Sequence, residues 1–274
     1  MSHEYSKCSV LMCLYKGDTD RYFREAVDSV FEQSVQPDEL IIVVDGAICN
    51  KLDEALTMVT KKYKKIKVIR LPRNVGVGMA SNEGIKHCKN ELIAKMDADD
   101  VAVRERFELQ LAEFAKDPKL ALLGGQLAEF SGDISNVVSH RKVPTGANEI
   151  KRFAKKRSPF NNQTVMYKKS VVLAVGGYPK LNRAEDYYLF SKIIAEGYKV
   201  KNLSKVLMYF RLDDDAIGRR RTWKHTKEII NARNEIRKLG VSNYLDLIST
   251  SLGQIVVFIT PAFFAKWLYR RLRK

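Results

Sequence analysis

Residues 40–44 read Leu-Ile-Ile-Val-Val with no polar position among them, and Asp45 follows at once. A strand open to water on one face alternates apolar and polar residues, so an unbroken, largely β-branched run must be covered on both faces. That requirement places the segment inside a parallel sheet between two layers of helices, and the flanking sequence supplies the partners. Val10–Leu14, Ile66–Leu71 and Leu92–Met96 are further strand-like runs. Between them, Tyr22–Ser34 repeats apolar Phe23, Ala26, Val27, Val30 and Phe31 at helical spacing, and helices also fit Asp53–Tyr63 and Met79–Cys88. Strand and helix in alternation predict an α/β fold whose mostly parallel sheet binds its ligand beyond the carboxyl ends of the strands.

Two of those ends are acidic. Asp45 closes one strand, and Leu92–Met96 runs directly into Asp97-Ala98-Asp99-Asp100. Three carboxylates within four residues repel one another, so something must compensate them. A helix cap accounts for one, and Asp100 ahead of VAVRERFELQL suits that place. A strand followed by DxDxV also describes the nucleophile motif of dehalogenase-type, magnesium-dependent phosphatases. That motif normally ends the first strand of its domain; here three strands precede it and no GDxxxD segment follows. The remaining reading is a metal–phosphate site, because hard divalent cations bound with substrate phosphates need one or two carboxylates. It assigns Asp97 and Asp99 to the cation.

A second acid sits where an acid is costly. In RAEDYYLFSKIIAEGY, a helix over Asp186–Glu196 puts Asp186 on the face of Leu189, Phe190, Ile193 and Ile194. It is either a plain N-terminal cap or a general base tuned by partial burial. The segment RNVGVGMASNEG contains GxG, but Ser81 occupies the place of the third glycine of a dinucleotide fingerprint and the segment follows a late strand, so that signal is weak. Arg73 and Asn74 open this segment, in a turn or against a base or phosphate.

The middle third is less regular. A helix fits Arg104–Lys116, and short strands fit Leu120–Gly124, Thr164–Tyr167 and Val206–Arg211. The four cysteines show neither CxxC nor metal-ligand spacing, so reduced thiols in a cytosolic compartment are expected. The first apolar segment is too short for a signal peptide, and no run reaches the roughly 18 apolar residues of a spanning helix.

These pieces, in order, resemble a family 2 glycosyltransferase of the GT-A fold. CSVLMCLYKGDTDRYFREAVDSVFEQSVQPDELIIVVDG is similar to the family's opening strand–helix–strand, and RNVGVGMASNEGIKHCKNELIAKMDADD to the block ending in its DxD signature. NNQTVMYKKSVVLAVGGYPKLNRAEDYYLFSKIIAEGY resembles the acceptor-side block with its ED pair. The likeness spans about residues 8–212 and is nearest to bacterial enzymes that build capsule, exopolysaccharide or O-antigen units on a lipid carrier. It implies an inverting hexosyltransferase-like enzyme using a UDP-sugar and Mn²⁺ or Mg²⁺. Cys13, Tyr15, Asp45 and Arg73 would line the nucleotide pocket, and Asp97 would hold ribose or metal. Asp99 would ligate the metal, and Asp186 would be the catalytic base with Glu185 beside it. Three positions depart from the family pattern: Val44 stands where a second aspartate is common, Lys16 where asparagine is, and Asn162 where histidine is.

The resemblance divides the chain into a glycosyltransferase domain over 1–212 and a basic helical tail over 213–274. Within the domain, 1–103 would be the nucleotide-sugar half and 104–212 the acceptor half. From Ala216 to Lys274, thirteen Lys/Arg stand against three Asp/Glu, ten of the chain's net +16 charges. Trp223–Lys238 reads as a polar amphipathic helix. Leu252–Leu268 is apolar but broken by Gln254 and Pro261, so it suits lying in the interface of an anionic leaflet or docking on the domain. Arg219–Arg221 would reach a donor or lipid diphosphate. The expected partners are therefore a nucleotide-sugar donor, a glycan or polyprenyl-diphosphate-linked acceptor and the inner face of the bacterial cytoplasmic membrane. A basic nucleic-acid-binding protein is the non-enzymatic alternative, but the clustered aspartates would repel phosphate, so no nucleic acid is expected.

Overall fold

A computed structural model describes residues 7–212 and 222–260. The first half follows the predicted alternation closely. Strand β1 (Cys8–Leu14) leads to α1 (Asp20–Phe31), β2 (Glu39–Asp45) to α2 (Asn50–Lys62), β3 (Ile66–Leu71) to α3 (Val77–His87), and then β4 (Leu92–Asp97). These four strands are parallel, in the spatial order β3-β2-β1-β4. All seven residues of β2 are buried, as its composition requires.

Beyond β4 the sheet becomes mixed. After the two-residue β5 (Val101–Ala102) come α4 (Arg106–Lys116), β6 (Leu120–Phe130), β7 (Val137–Arg141) and α5 (Ala147–Ala154). A 3₁₀ turn at Asn162–Thr164 then precedes β8 (Met166–Lys168), α6 (Lys169–Ala174), α7 (Glu185–Ala195) and β9 (Lys199–Arg211). The sheet continues from β4 through β8, β6 and β9 to β5, with β7 added on β6. Several sequence expectations fall short here. Strand β6 runs to Phe130 rather than Gly124, β9 begins at Lys199 rather than Val206, and β7 and α5 were not anticipated. Strand β6 is buried along its whole length, including Gly124, Gly125 and Gln126, so its strand character comes from its neighbours rather than its composition.

The period-two alternation of the strands sorts side chains into two layers. Val10, Met12 and Leu14 of β1 pack with Phe23, Val27, Leu52, Phe107 and Leu111 of α1, α2 and α4. On the other face Leu11, Ile41, Val43 and Ile93 meet Ala80 and Ile85 of α3 and Leu189, Phe190, Ile193 and Ile194 of α7. Two further helices, α8 (Trp223–Lys238) and α9 (Tyr244–Ile259), complete the described chain. Helix α8 buries Ala232 and Ile236, whereas α9 buries none of its side chains.

Candidate active site

The second layer matters for chemistry, because its odd-numbered strand positions carry polar groups at the carboxyl edge. Cys13 of β1 pairs across the ladder with Asp97 of β4 and with Val43 of β2. The alternation that turns Leu11, Ile41 and Ile93 toward α3 and α7 therefore turns Cys13, Asp45, Lys95 and Asp97 the same way. Two helix N-termini close over this edge. Gly78 in the first turn of α3 lies so near α7 that a Cβ there would meet Glu185 Cγ at 3.1 Å. Asn82 locks the approach, donating from Nδ2 to Tyr178 O and accepting from Tyr178 N–H, both at 2.8 Å.

Acids converge here from three segments: Asp18 after β1, Asp97, Asp99 and Asp100 after β4, and Glu185 and Asp186 at the start of α7. Burial and the neighbouring Asp186 push Glu185 up to about 7. Burial also raises Asp186, with Asp97 adding to the shift and Lys95 opposing it. Asp18, whose Oδ2 accepts from the Tyr15 N–H at 2.8 Å, is pushed up to about 7 by burial, with Asp99 and Asp97 contributing. Burial, with mutual repulsion added to it, raises all three, as in a site prepared for positive charge.

Two cations already present were missed in the sequence. Lys95, 1% exposed, lies beneath Asp97 with Nζ 3.4 Å from Oδ1. Burial works against its charge, yet Cys13, Asp97 and Glu185 around it hold its pKa above the ordinary lysine value. The available signal was a lysine interrupting the apolar strand LIAKM. Arg211, at the end of β9, reaches back to the aspartate loop. Its Nε donates to Asp99 O at 3.1 Å, its NH2 pairs with Glu25 at 2.5 Å, and its backbone N–H donates to Asp100 Oδ1 at 3.0 Å. That last bond corrects the reading of Asp100 as a helix cap. Helix α4 begins at Arg106 with Glu105 at its N-cap, because β5 intervenes; Asp100 is fully buried and ties its loop to β9. Arg106, also fully buried, donates to Lys95 O at 2.7 Å and so braces β4 just before its acidic end.

The sequence-predicted residues do not all meet. Asp97, Glu185 and Asp186 share the cleft, and Cys13 lies in its wall with Sγ 3.5 Å from Ser81 Oγ, its thiol pKa raised by burial. Tyr15, just past β1, is 48% exposed, and Arg73 is exposed on the β3–α3 loop. Asp45 is buried and works within the protein: its carboxylate accepts from Asn74 Nδ2 at 3.0 Å, Val75 N–H at 2.7 Å and Gly76 N–H at 3.0 Å. It shapes the loop carrying Arg73. Arg219–Arg221 lie outside the described residues.

Among the described residues, no three His, Cys, Asp or Glu side chains could hold a metal ion by themselves. A hard cation sharing its coordination with substrate oxygens needs only one or two carboxylates. The half-buried Asp97 and exposed Asp99, in a surplus of acid, fit that requirement. A cavity of about 460 Å³ opens along the start of α7, lined by Glu185, Asp186, Asn162 and several basic side chains.

A parallel α/β sheet with acids at its carboxyl edge, continued by a mixed half that delivers another acid pair, defines a nucleotide-dependent transferase layout. Residues 9–174 match the description "Glycosyl transferase family 2", and the chain belongs to that family. An uncharacterized glycosyltransferase of Haemophilus influenzae is 38% identical over 269 residues, covering 98% of this chain and 100% of the relative. The UDP-Gal:alpha-D-GlcNAc-diphosphoundecaprenol beta-1,3-galactosyltransferase of Escherichia coli is 32% identical over 272 residues, covering 99% and 98%. The amylovoran biosynthesis glycosyltransferase AmsE of Erwinia amylovora is 29% identical over 266 residues, covering 97% and 99%. Among solved structures, S. aureus TarS 1-349 in complex with UDP-GlcNAc superposes with a TM-score of 0.67 at 19% identity, covering 92% of this chain and 73% of that one. The Pyrobaculum calidifontis mannosyltransferase PcManGT, in complex with GDP-Man and Mn2+, gives 0.62 at 15%, covering 98% and 80%. These likenesses establish the GT-A fold.

Proposed function

We propose that the protein transfers a sugar, with inversion, from a UDP-sugar to a glycan acceptor carried on a polyprenyl diphosphate, in bacterial surface-polysaccharide synthesis. The observation that carries this reading is the meeting of Asp97, at the end of β4, with Glu185 and Asp186, at the start of α7. The E. coli relative, named for a UDP-linked donor and a diphosphoundecaprenol acceptor, supports the choice of substrates.

Asp186 acts as general base. It takes the proton of the acceptor hydroxyl as that oxygen attacks the anomeric carbon from the side opposite the nucleotide, so an α-linked donor yields a β-linkage. Burial suits it to the task by raising its proton affinity above that of a solvated aspartate. Asp97 and Asp99 would hold Mn²⁺ or Mg²⁺, whose charge would offset the negative charge growing on the departing diphosphate. Lys95 holds Asp97 in place from beneath, its Nζ 3.4 Å from Oδ1. Cys13, Tyr15 and Arg73 line the nucleotide side, and Asp45 fixes the loop that carries Arg73.

The test is a panel of UDP-sugars assayed for Mn²⁺-dependent hydrolysis and transfer with wild type, Asp99→Ala and Asp186→Asn. Loss of the base should lower transfer by about 10²–10⁴-fold. Unimpaired transfer by both variants would refute these roles.

The same reading makes the protein peripheral on the inner face of the cytoplasmic membrane. No helix among the described residues is long and apolar enough to cross a bilayer. Helix α9 nevertheless exposes Tyr244, Leu245, Ile248, Leu252, Val256 and Ile259. The chain beyond it is rich in aromatic and basic residues. Such a combination suits adsorption to an anionic leaflet, where a lipid-linked acceptor resides.

A further inference from the structure

The cavity beside α7 carries more positive charge than the chemistry above uses. Arg141, Lys142, Arg157 and Arg183 line it together with Glu185 and Asp186. Two of these cations are already paired: Arg141 donates to Glu129 at 2.7 Å, and Arg183 lies 3.7 Å from Glu228. Lys142, just past β7, and Arg157, just past α5, have no ion-pair partner among the described residues; Arg157 rests 4.2 Å from the Phe153 ring centroid. The cavity also contains Asn162, whose Oδ1 is buried without a hydrogen-bond partner. A buried acceptor without a donor is costly unless a ligand supplies one.

Uncommitted cations and an unsatisfied amide oxygen ask for a ligand bearing both an anion and hydroxyl groups. We propose that this cavity is the acceptor subsite, in which Lys142 and Arg157 grip the phosphate or diphosphate at the reducing end of the acceptor sugar. Asn162 accepts from one of that sugar's hydroxyls. The inference rests on the transferase reading and assigns its acceptor chemistry to residues. Electrostatics fix the polarity of binding. The sugar hydroxyl must reach Asp186, and the carboxylates repel the phosphate, so the anion settles against the β7 and α5 walls. Arginine provides a permanently charged fork suited to phosphate, with lysine as a point charge beside it. The volume, about 460 Å³, lies within the range of small-ligand sites.

The probe is geranyl diphosphate, titrated calorimetrically into the full chain with the donor site saturated by UDP and excess Mg²⁺. The double variant Lys142→Ala/Arg157→Ala is compared with Lys155→Ala/Lys156→Ala, which removes the same charge from exposed positions outside the cavity. Thermal melts verify that both fold. The cavity variant should bind at least about tenfold more weakly, and the control should stay within about twofold of wild type. Equal weakening in both variants, or none in either, overturns the proposal. So does inorganic phosphate binding as tightly as the diphosphate with the same dependence on Lys142 and Arg157, since the site would then take free phosphate. Absence of UDP-sugar hydrolysis and transfer from wild type over the whole donor panel would sink the transferase reading while leaving the calorimetric result readable.

Discussion

Glu185 and Asp186 are adjacent acids in the first turn of α7, and their environment makes the free site sensitive to pH. Folding raises Glu185 from 4.5 to about 7, so the folded protein binds this proton more tightly than the unfolded chain. Between those values the folded state holds more protons, and stability must fall as pH rises through the window. Asp18, raised from 3.8 to about 7, adds to the same slope. Glu185→Gln keeps the shape and removes the charge. Its melting temperature should match wild type near pH 4 and exceed it increasingly up to about pH 7, beyond which the gap levels off, as read by thermal denaturation at a series of pH values. A constant gap across the range would show that burial of Glu185 is not the cause. In wild type, Mn²⁺ without nucleotide should flatten the slope, because added positive charge lowers the proton affinity of the surrounding acids.

At the scale of elements, the site depends on loops held at short range. The β3–α3 loop is fastened to the end of β2 by three donors to the Asp45 carboxylate. That fastening requires Gly46, which has φ +85° and whose Cβ, if present, would lie 2.6 Å from Asn74 N. Gly46→Ala should therefore destabilise the protein by about 1–3 kcal/mol in chemical denaturation and loosen the nucleotide side, raising the KM for donor more than it changes kcat. Asp45 and Gly46 were visible in the sequence as a strand end, and the likeness to a family suggested direct nucleotide contact. In the folded chain that carboxylate also accepts from the Asn74 side chain and from the Val75 and Gly76 N–H groups, because a buried acid takes the nearest donors. The glycine pair of RNVGVGM was weak as a nucleotide fingerprint for a similar reason: Gly78 is small so that Glu185 can approach.

At the scale of the whole molecule, the two carboxyl-terminal helices differ in how far they bury their side chains. Helix α8 packs on the body through Ala232 and Ile236, whereas in α9 Leu245 is 76% and Ile259 66% exposed. Truncation after Asn243 should release the protein from phosphatidylglycerol-rich vesicles in a sedimentation assay while lowering its melting temperature only slightly, since no side chain of α9 is fully buried and it touches α8 through contacts such as Phe258 on Trp223. Undiminished vesicle binding by the shortened chain would remove the membrane role of the tail. High salt should weaken binding by the full chain only in part, because screening acts on the basic charge and leaves apolar insertion intact.

The sequence by itself determined the parallel half of the sheet, its two-sided burial and the placing of Asp97 and Asp99 at its edge. Hydrophobic periodicity is local, and β1 to β4 state it plainly. It also singled out Asp186, because an acid on an apolar helix face is a local contradiction. Tertiary structure alone decided the rest. Strand β6 is a strand because β8 and β9 flank it, and Arg211 comes back to the aspartate loop from more than a hundred residues away. Asp100 serves β9 instead of a helix, and Lys95 becomes the counter-charge beneath Asp97. The first three depend on neighbours distant in sequence; Lys95 stands only two residues from Asp97, but Cys13 and Glu185, which help to hold its charge, come from far along the chain.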